Sequence, residues 1–226
     1  MEADRIIAAA RQQGQGALSE YASKQILAAY DIPVTRETLV ANPEEAVAAA
    51  IDIGYPVALK ACGSSLLHKS DRGLVRLGLA SETEVRSAHE LLRRESGDNL
   101  EGILVQEMIA GKRELVAGMN RDAQFGPCVM LGLGGIMTEI FKDTAFRMAP
   151  LDMIEAADMA DQLKSQPLLA AFRGEEPVDR NALSRCLMAV GRIALEHEDI
   201  LEIDINPLII TSRGNLVAVD ALIILR

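Results

Sequence analysis

Two apolar periods alternate along this chain, one near four residues and one of two, and they mark out helices and strands in turn. Residues 42–54, NPEEAVAAAIDIG, predict a helix with Pro43 near its start, acids in its first turn and Gly54 at its end. YPVALKA (55–61) predicts a buried strand, and GLVRLGLA (73–80) alternates as a strand should. Ser81 and Glu84 make a capping-box pattern for a helix with Val85, Ala88 and Leu92 inward, and EGILVQEM (101–108) is another strand. Upstream, residues 5–11 predict a short, weak, loosely tied helix that GQG breaks. Ser19 caps a helix with Ala22, Ile26, Ala29 and Tyr30 on one face, and DIPVTRETLV (31–40) is a turn and a strand. KRELVAGM (112–119) and GPCVMLGLGG (126–135) are strand-like, and a mostly helical segment runs from Leu151 to His197 around a loop at Gly174–Pro177. Asp179 caps a helix there bearing Leu183, Leu187, Val190 and Ala194. The order lacks strict βαβ alternation, so two packed α+β lobes are expected. The division falls near Gln106, giving lobes 18–105 and 106–226 with 1–17 as an N-terminal extension.

The closing run, ILEIDINPLIITSRGNLVAVDALIIL (200–225), carries its own geometry. A three-residue loop, SRG, with glycine last sets Thr211 opposite Asn215. Counting back, Asn206 then faces Asp220, with Cβ atoms roughly 5 Å apart. An amide oxygen and a carboxylate converging in this way suit Mg²⁺, which takes one or two protein oxygens beside phosphates and waters. Asp204, two residues earlier, is an outer-shell acceptor in that reading. The alternative is that Asn206 is a turn residue before Pro207 and Asp220 ends a strand.

Composition narrows the chemistry. The 226 residues are 49% hydrophobic, enough for a sizeable core. A net charge of -10 without a long basic run disfavours nucleic acid as a partner. It leaves phosphate binding open, because a few lysines, backbone amides and a metal act locally. Cys62, Cys128 and Cys186 lack metal-ligand spacing and are expected as reduced, mostly buried thiols. No signal-peptide pattern opens the chain and no stretch approaches the ~18 apolar residues of a membrane span, so no membrane association and a cytoplasmic location are expected.

Lys60 inside a buried strand needs an anion, a phosphate being one, or else snorkels from the strand end. Gly132, Gly134 and Gly135 follow a strand, where glycines admit a phosphate or simply make a tight turn. Glu107 and Glu114 flank MIAGKR, a short hinge for a planar base with Glu114 reaching a ribose or the metal; surface acids are the plainer reading. In LLHKSDRG (66–73), His68 lies on a polar loop between strands, whereas His89 and His197 fall on helices beside charged residues and receive no role.

Together, YPVALK, HKSDRG, VQEM, REL, GMNRDAQFGP, GLGG and DINPL…AVDA resemble, in order and spacing, the ATP-grasp domain of NDP-forming acyl-CoA synthetases. The likeness covers about residues 18–226 and is nearest to the β subunit of ADP-forming acetate–CoA ligases, within the succinyl-CoA synthetase superfamily. It implies an α+β ATP-grasp fold of two α/β lobes with ATP or ADP bound between them. It implies ATP-binding roles for Lys60 (phosphate), Gln106, Glu107, Met108 and Ile109 (adenine side), Glu114, Gly132, Gly134 and Gly135. It implies Mg²⁺ on Asn206 and Asp220, and a phosphoryl-carrying role for His68 screened by Lys69 and Arg72.

The reaction implied is acid + CoA + ATP = acyl-CoA + ADP + phosphate. It needs a CoA-binding α partner with its own catalytic histidine, in a hetero-oligomer or as a fused domain, and that partner binds most of the acid and CoA. One departure stands out: the family has a second glycine after Gly73, and here Leu74 replaces it in a loop expected near phosphate. Two other readings are a non-catalytic nucleotide-sensing domain of a protein acetyltransferase and a self-contained ligase joining an acyl phosphate to an amine. The sequence leaves open the acid and the choice of ATP or GTP.

Overall fold

The computed structural model describes residues 2–66, 73–97, 100–135 and 143–226. The chain divides into two compact units, a smaller one of Ala17–Ala22 and Thr35–Met108, and a larger one of Met1–Gly16, Ser23–Val34 and Ile109–Arg226.

The smaller unit is a four-stranded antiparallel sheet backed by two helices. Its elements are β1 (Glu37–Val40), β2 (Val57–Cys62), β3 (Val75–Leu79) and β4 (Gly102–Glu107), ordered β1-β4-β2-β3. Helix α3 (Pro43–Ile53) starts where expected: the Asn42 side chain accepts from the Glu45 amide, a cap contributing about 1 kcal/mol, and Gly54 ends it. In α4 (Glu82–Ser96) the Ser81 hydroxyl accepts from the Glu84 amide, while the Glu84 carboxylate reaches back to the Ala80 amide. Both helices cover one sheet face, burying Leu59, Ala61, Ile103 and Val105 against Val47, Ala50, Val85 and Leu92. Alternation along the strands sends Lys60, Leu104 and Gln106 to the other face.

Leu74 belongs to that core. It is almost fully buried, and its carbonyl accepts from the Ala61 amide at 3.0 Å. The residue that replaces the expected glycine therefore packs inward beside β2.

The larger unit is built on a six-stranded antiparallel sheet. Strands β5 (Arg113–Asp122), β6 (Gly126–Leu133), β7 (Thr144–Met148), β8 (Ile200–Ile210) and β10 (Ala221–Leu225) run in the order β10-β8-β5-β6-β7, and β9 (Leu216–Ala218) also pairs with β8. Helices α5 (Met153–Gln162) and α6 (Arg180–Glu196) supply the helix layer, with Asp152 and Asp179 as N-caps. Ala117, Met119, Val129, Leu131, Ile203 and Ile205 form the buried strand positions, and Gly191 of α6 lies directly on Val129.

Two expectations near the N-terminus need correction. Helix α1 (Glu2–Gln12) is not loosely tied: it buries Ala3, Ile7 and Ala10, Arg11 pairs with Asp199 at 2.7 Å, and the Leu225 amide donates to the Gly16 carbonyl. Helix α2 (Glu20–Ala29) buries Glu20, Ser23, Lys24, Ile26 and Leu27, whereas Ala29 is exposed and Ala22 half-buried. His197 caps the end of α6 rather than lying within it, and the Tyr30 hydroxyl lies 2.8 Å from its Nε2. Cys62 and Cys186 are buried, Cys128 is half-buried and all three are free thiols. Among the described residues no helix is long and apolar enough to cross a membrane.

His89 is buried to 1% exposure on α4, and neither ring nitrogen has a hydrogen-bond partner among the described residues. Burial, and then the neighbouring Arg93, lower its pKa from the ordinary histidine value. Stability tied to the neutral ring is thus present above pH ~6.5 and lost as the pH falls below it, where the unfolded chain takes up a proton first. His89→Leu is expected to raise the melting temperature more at pH 5 than at pH 8. Equal shifts at both pH values in thermal denaturation would contradict this account.

Candidate functional site

In the smaller unit, Lys60 lies mid-strand with its backbone paired to Leu104 on one side and Val75 on the other. Its ammonium donates to Oε1 of Glu20 at 2.7 Å, within a pair whose side chains are nearly solvent-free. The anion neutralising this buried lysine is thus a carboxylate of the chain. Gln106 is buried on the same sheet face as Lys60, paired with Ala58 and Glu37.

Glu107 ends β4 with its carboxylate engaged. Oε1 accepts from the Arg36 amide at 2.8 Å and Oε2 from Arg36 Nε at 3.1 Å, while the Glu107 amide donates to the Arg36 carbonyl. This acid stitches the entry of β1 to the exit of β4. Met108 is exposed, Ile109 is half-buried, and the division between the units falls between these two residues.

In the larger unit, β5 holds Glu114 on the face opposite the helix layer, in line with Val116 and Gly118. The Gly134 amide donates to the Glu114 carbonyl at 2.7 Å, and a side chain at Gly135 would come 3.3 Å from Glu114 Oε2. The structure therefore brings Glu114, Gly134 and Gly135 together. They line a cavity of about 420 Å³ whose other walls include Lys112, Leu168 and Phe172. Gly132 is a member of β6, paired with Val116 and Thr144, and lies inside the strand rather than in the turn.

The closing hairpin has the register expected from its loop. Leu208 pairs with Ala218 and Ile210 with Leu216, and the Thr211 amide donates to the Asn215 carbonyl at 2.8 Å. Gly214 takes φ 79°, the left-handed conformation that the third loop position demands. Beyond a break at residues 219–220 the same register resumes, Ala221 pairing with Ile205 and Leu222 with Asp204. Asn206 and Asp220 face each other across that break, the Asn206 amide donating to the Asp220 carbonyl at 3.2 Å.

Burial first, and then the charges of Glu202 and Asp220, push Asp204 up to about 6. Its partner on β5 is Gly118, so it shares a sheet face with Glu114. Among the described residues no three His, Cys, Asp or Glu side chains gather as a closed metal cage. Two opposed oxygen donors beside a desolvated acid fit a cation that takes its remaining ligands from phosphates and water. His68, with Lys69, Ser70 and Arg72, lies outside the described residues.

The model of the ATP-grasp domain family matches residues 9–225. The chain belongs to the ATP-grasp family. Within it, the chain is 42% identical to the β subunit of ADP-forming acetate–CoA ligase I from Pyrococcus furiosus, over 92% of this chain and 91% of that subunit. It is similar, at 43% identity and a TM-score of 0.93, to a dinucleotide-forming acetyl-coenzyme A synthetase 1 of Candidatus Korarchaeum cryptofilum, solved with coenzyme A, Ca-AMPCP and HgCl⁺. That likeness covers 98% of this chain and 99% of the other. A second structure of the archaeal enzyme holds coenzyme A and Mg-AMPPCP, with its phosphohistidine segment pointing towards the nucleotide binding site. It is 42% identical at a TM-score of 0.88, covering 99% of this chain and 100% of that one.

Two residues of this ATP-grasp chain escaped the sequence reading: Glu20, which pairs with Lys60, and Lys24, buried to 1% with Nζ 3.2 Å from the Val219 carbonyl. The available signal was their spacing. Glu20, Lys24 and Leu27 recur at helical intervals, placing two charges in line with an apolar position.

Gly134 offers a direct probe. A Cβ there would meet the Glu114 backbone carbonyl carbon at 2.8 Å and the Glu114 Cβ at 2.9 Å, so a methyl group must separate the two segments. Gly134→Ala is expected to cost about 1–3 kcal/mol of stability and to weaken nucleotide binding more than tenfold. Denaturant unfolding and calorimetric ATP titration check both effects; native affinity in a destabilised variant would separate the turn from the nucleotide.

Proposed function

We propose that this chain is the nucleotide-handling β subunit of an ADP-forming acid–CoA ligase, catalysing acid + CoA + ATP = acyl-CoA + ADP + phosphate together with an α partner. The observation that carries the reading is the 42% identity across 91% of a β subunit that bears that activity in its name. Lys60 and the Gly134–Gly135 turn take the phosphates, Gln106 to Ile109 the base, and Glu114 the ribose or metal side. Asn206 and Asp220 hold Mg²⁺, which when bound spreads the charge of the phosphate oxygens.

In this reading the neutral imidazole of His68 attacks the γ-phosphorus. The bond from that phosphorus to the bridging oxygen breaks, ADP leaves, and the phosphoryl group stays on nitrogen. The chain then delivers it to a histidine of the CoA-binding α partner, where the acyl phosphate forms. A hetero-oligomer follows from this division of labour. The full chain without its partner should bind ATP and form no acyl-CoA.

With the partner and γ-labelled ATP, the chain is expected to acquire acid-labile, base-stable label at His68, and His68→Ala is expected to abolish acyl-CoA synthesis while ATP still binds. Near-normal turnover of that variant would overturn the relay. Asp220→Ala is expected to weaken Mg·ATP binding at least tenfold and metal-free ATP binding much less. Equal losses with and without Mg²⁺ in titration calorimetry would assign Asp220 a structural role instead.

A further inference from the structure

The buried ion pair of the smaller unit does more than neutralise a lysine. Placing two charges in a dry site forfeits their hydration, and an apolar pair of similar volume commonly stabilises a core as well or better. Lys60 stands on the sheet face away from α3 and α4, the same face as Gln106. Its backbone is fixed by pairing on both sides, but its four-carbon stem is not, so the position of the ammonium needs a second constraint. Glu20 supplies one from the first turn of α2, at 2.7 Å.

Among the described strand residues, the other charged or titratable groups of this face are Cys62 on β2 and Glu37 on β1, whose carboxylate accepts from the Thr35 hydroxyl at 2.9 Å. Lys24 follows Glu20 one turn later on α2. Glu20 is a carboxylate in direct contact with the Lys60 ammonium.

The geometry points to Glu20 as the positioning residue of Lys60: its carboxylate holds the buried ammonium in place, so that phosphate oxygens of a nucleotide meet a preorganised charge. This rests on the reading of Lys60 as the phosphate-contacting lysine. A lysine that loses its counter-charge in a dry site gives up its proton far more readily. Removing the carboxylate should therefore make nucleotide binding weaken as the pH rises.

The experiment is calorimetric titration of the full chain with Mg·ATP at pH 7.5 and 9.5. The native chain is expected to differ less than twofold between the two conditions, and Glu20→Gln to lose about tenfold in affinity at the higher pH. A flat profile in a folded Glu20→Gln overturns the assignment of Glu20. Lys60→Gln separates the two readings: if it leaves ATP affinity unchanged, Lys60 does not contact phosphate and the assignment falls with it. If Glu20→Gln does not fold, Glu20→Asp takes its place. That variant retains the charge but withdraws it by one methylene, and is expected to bind ATP several-fold more weakly with a flat profile; native affinity in that variant overturns the proposal.

Discussion

Backbone pairing along β8 fixes more of the larger unit than any other interaction. The strand pairs with β5 on one edge and with β9 and β10 on the other. Its register on β5 decides which face Glu114 occupies, and its register on the hairpin decides that Asn206 meets Asp220. Because side chains alternate with a period of two, a slip of one residue would turn Asp204 and its neighbours into the layer occupied by Ile203 and Ile205. The strand is apolar on the helix side and acidic on the other, so such a slip would bury the acids against α6. The same pattern that builds the core thus orients the acids.

The smaller unit follows a related logic with a different cost. Its helices cover one side of the sheet, and its other side carries a lysine whose hydration has been given up. A pair such as Lys60 and Glu20 is held because the surrounding strand and helix are already fixed, not because the pair gains much by itself. Its geometry is therefore only as firm as the anchoring of α2.

What the sequence made legible was local. Ser81 and Asp179 announce helix starts through side chains that satisfy amides three residues away, Pro43 marks another, and Gly214 sets a hairpin whose register follows by counting. Those signals need no knowledge of the rest of the chain. The readings of α1 and α2 missed because their partners are distant: Arg11 meets Asp199, and Glu20 meets Lys60, 40 positions on. A charged residue on an otherwise apolar face cannot be told from a surface residue until the opposite charge is placed in space. The burial of Leu74 was not legible either, since a loop and the edge of a core look alike beside a glycine. The joint arrangement of Glu114, Gly134 and Gly135 was legible only as motifs, because the contact that joins them crosses from β5 to the end of β6.

Leu66 and Leu74 have a consequence for the smaller unit. Both leucines are buried there, at 3% and 1% exposure, within one apolar cluster. Exposing either leucine costs roughly 1.5–3 kcal/mol. The stretch that follows β2 and the one that precedes β3 are thus held to the unit by burial as well as by the hydrogen bond from the Ala61 amide to the Leu74 carbonyl.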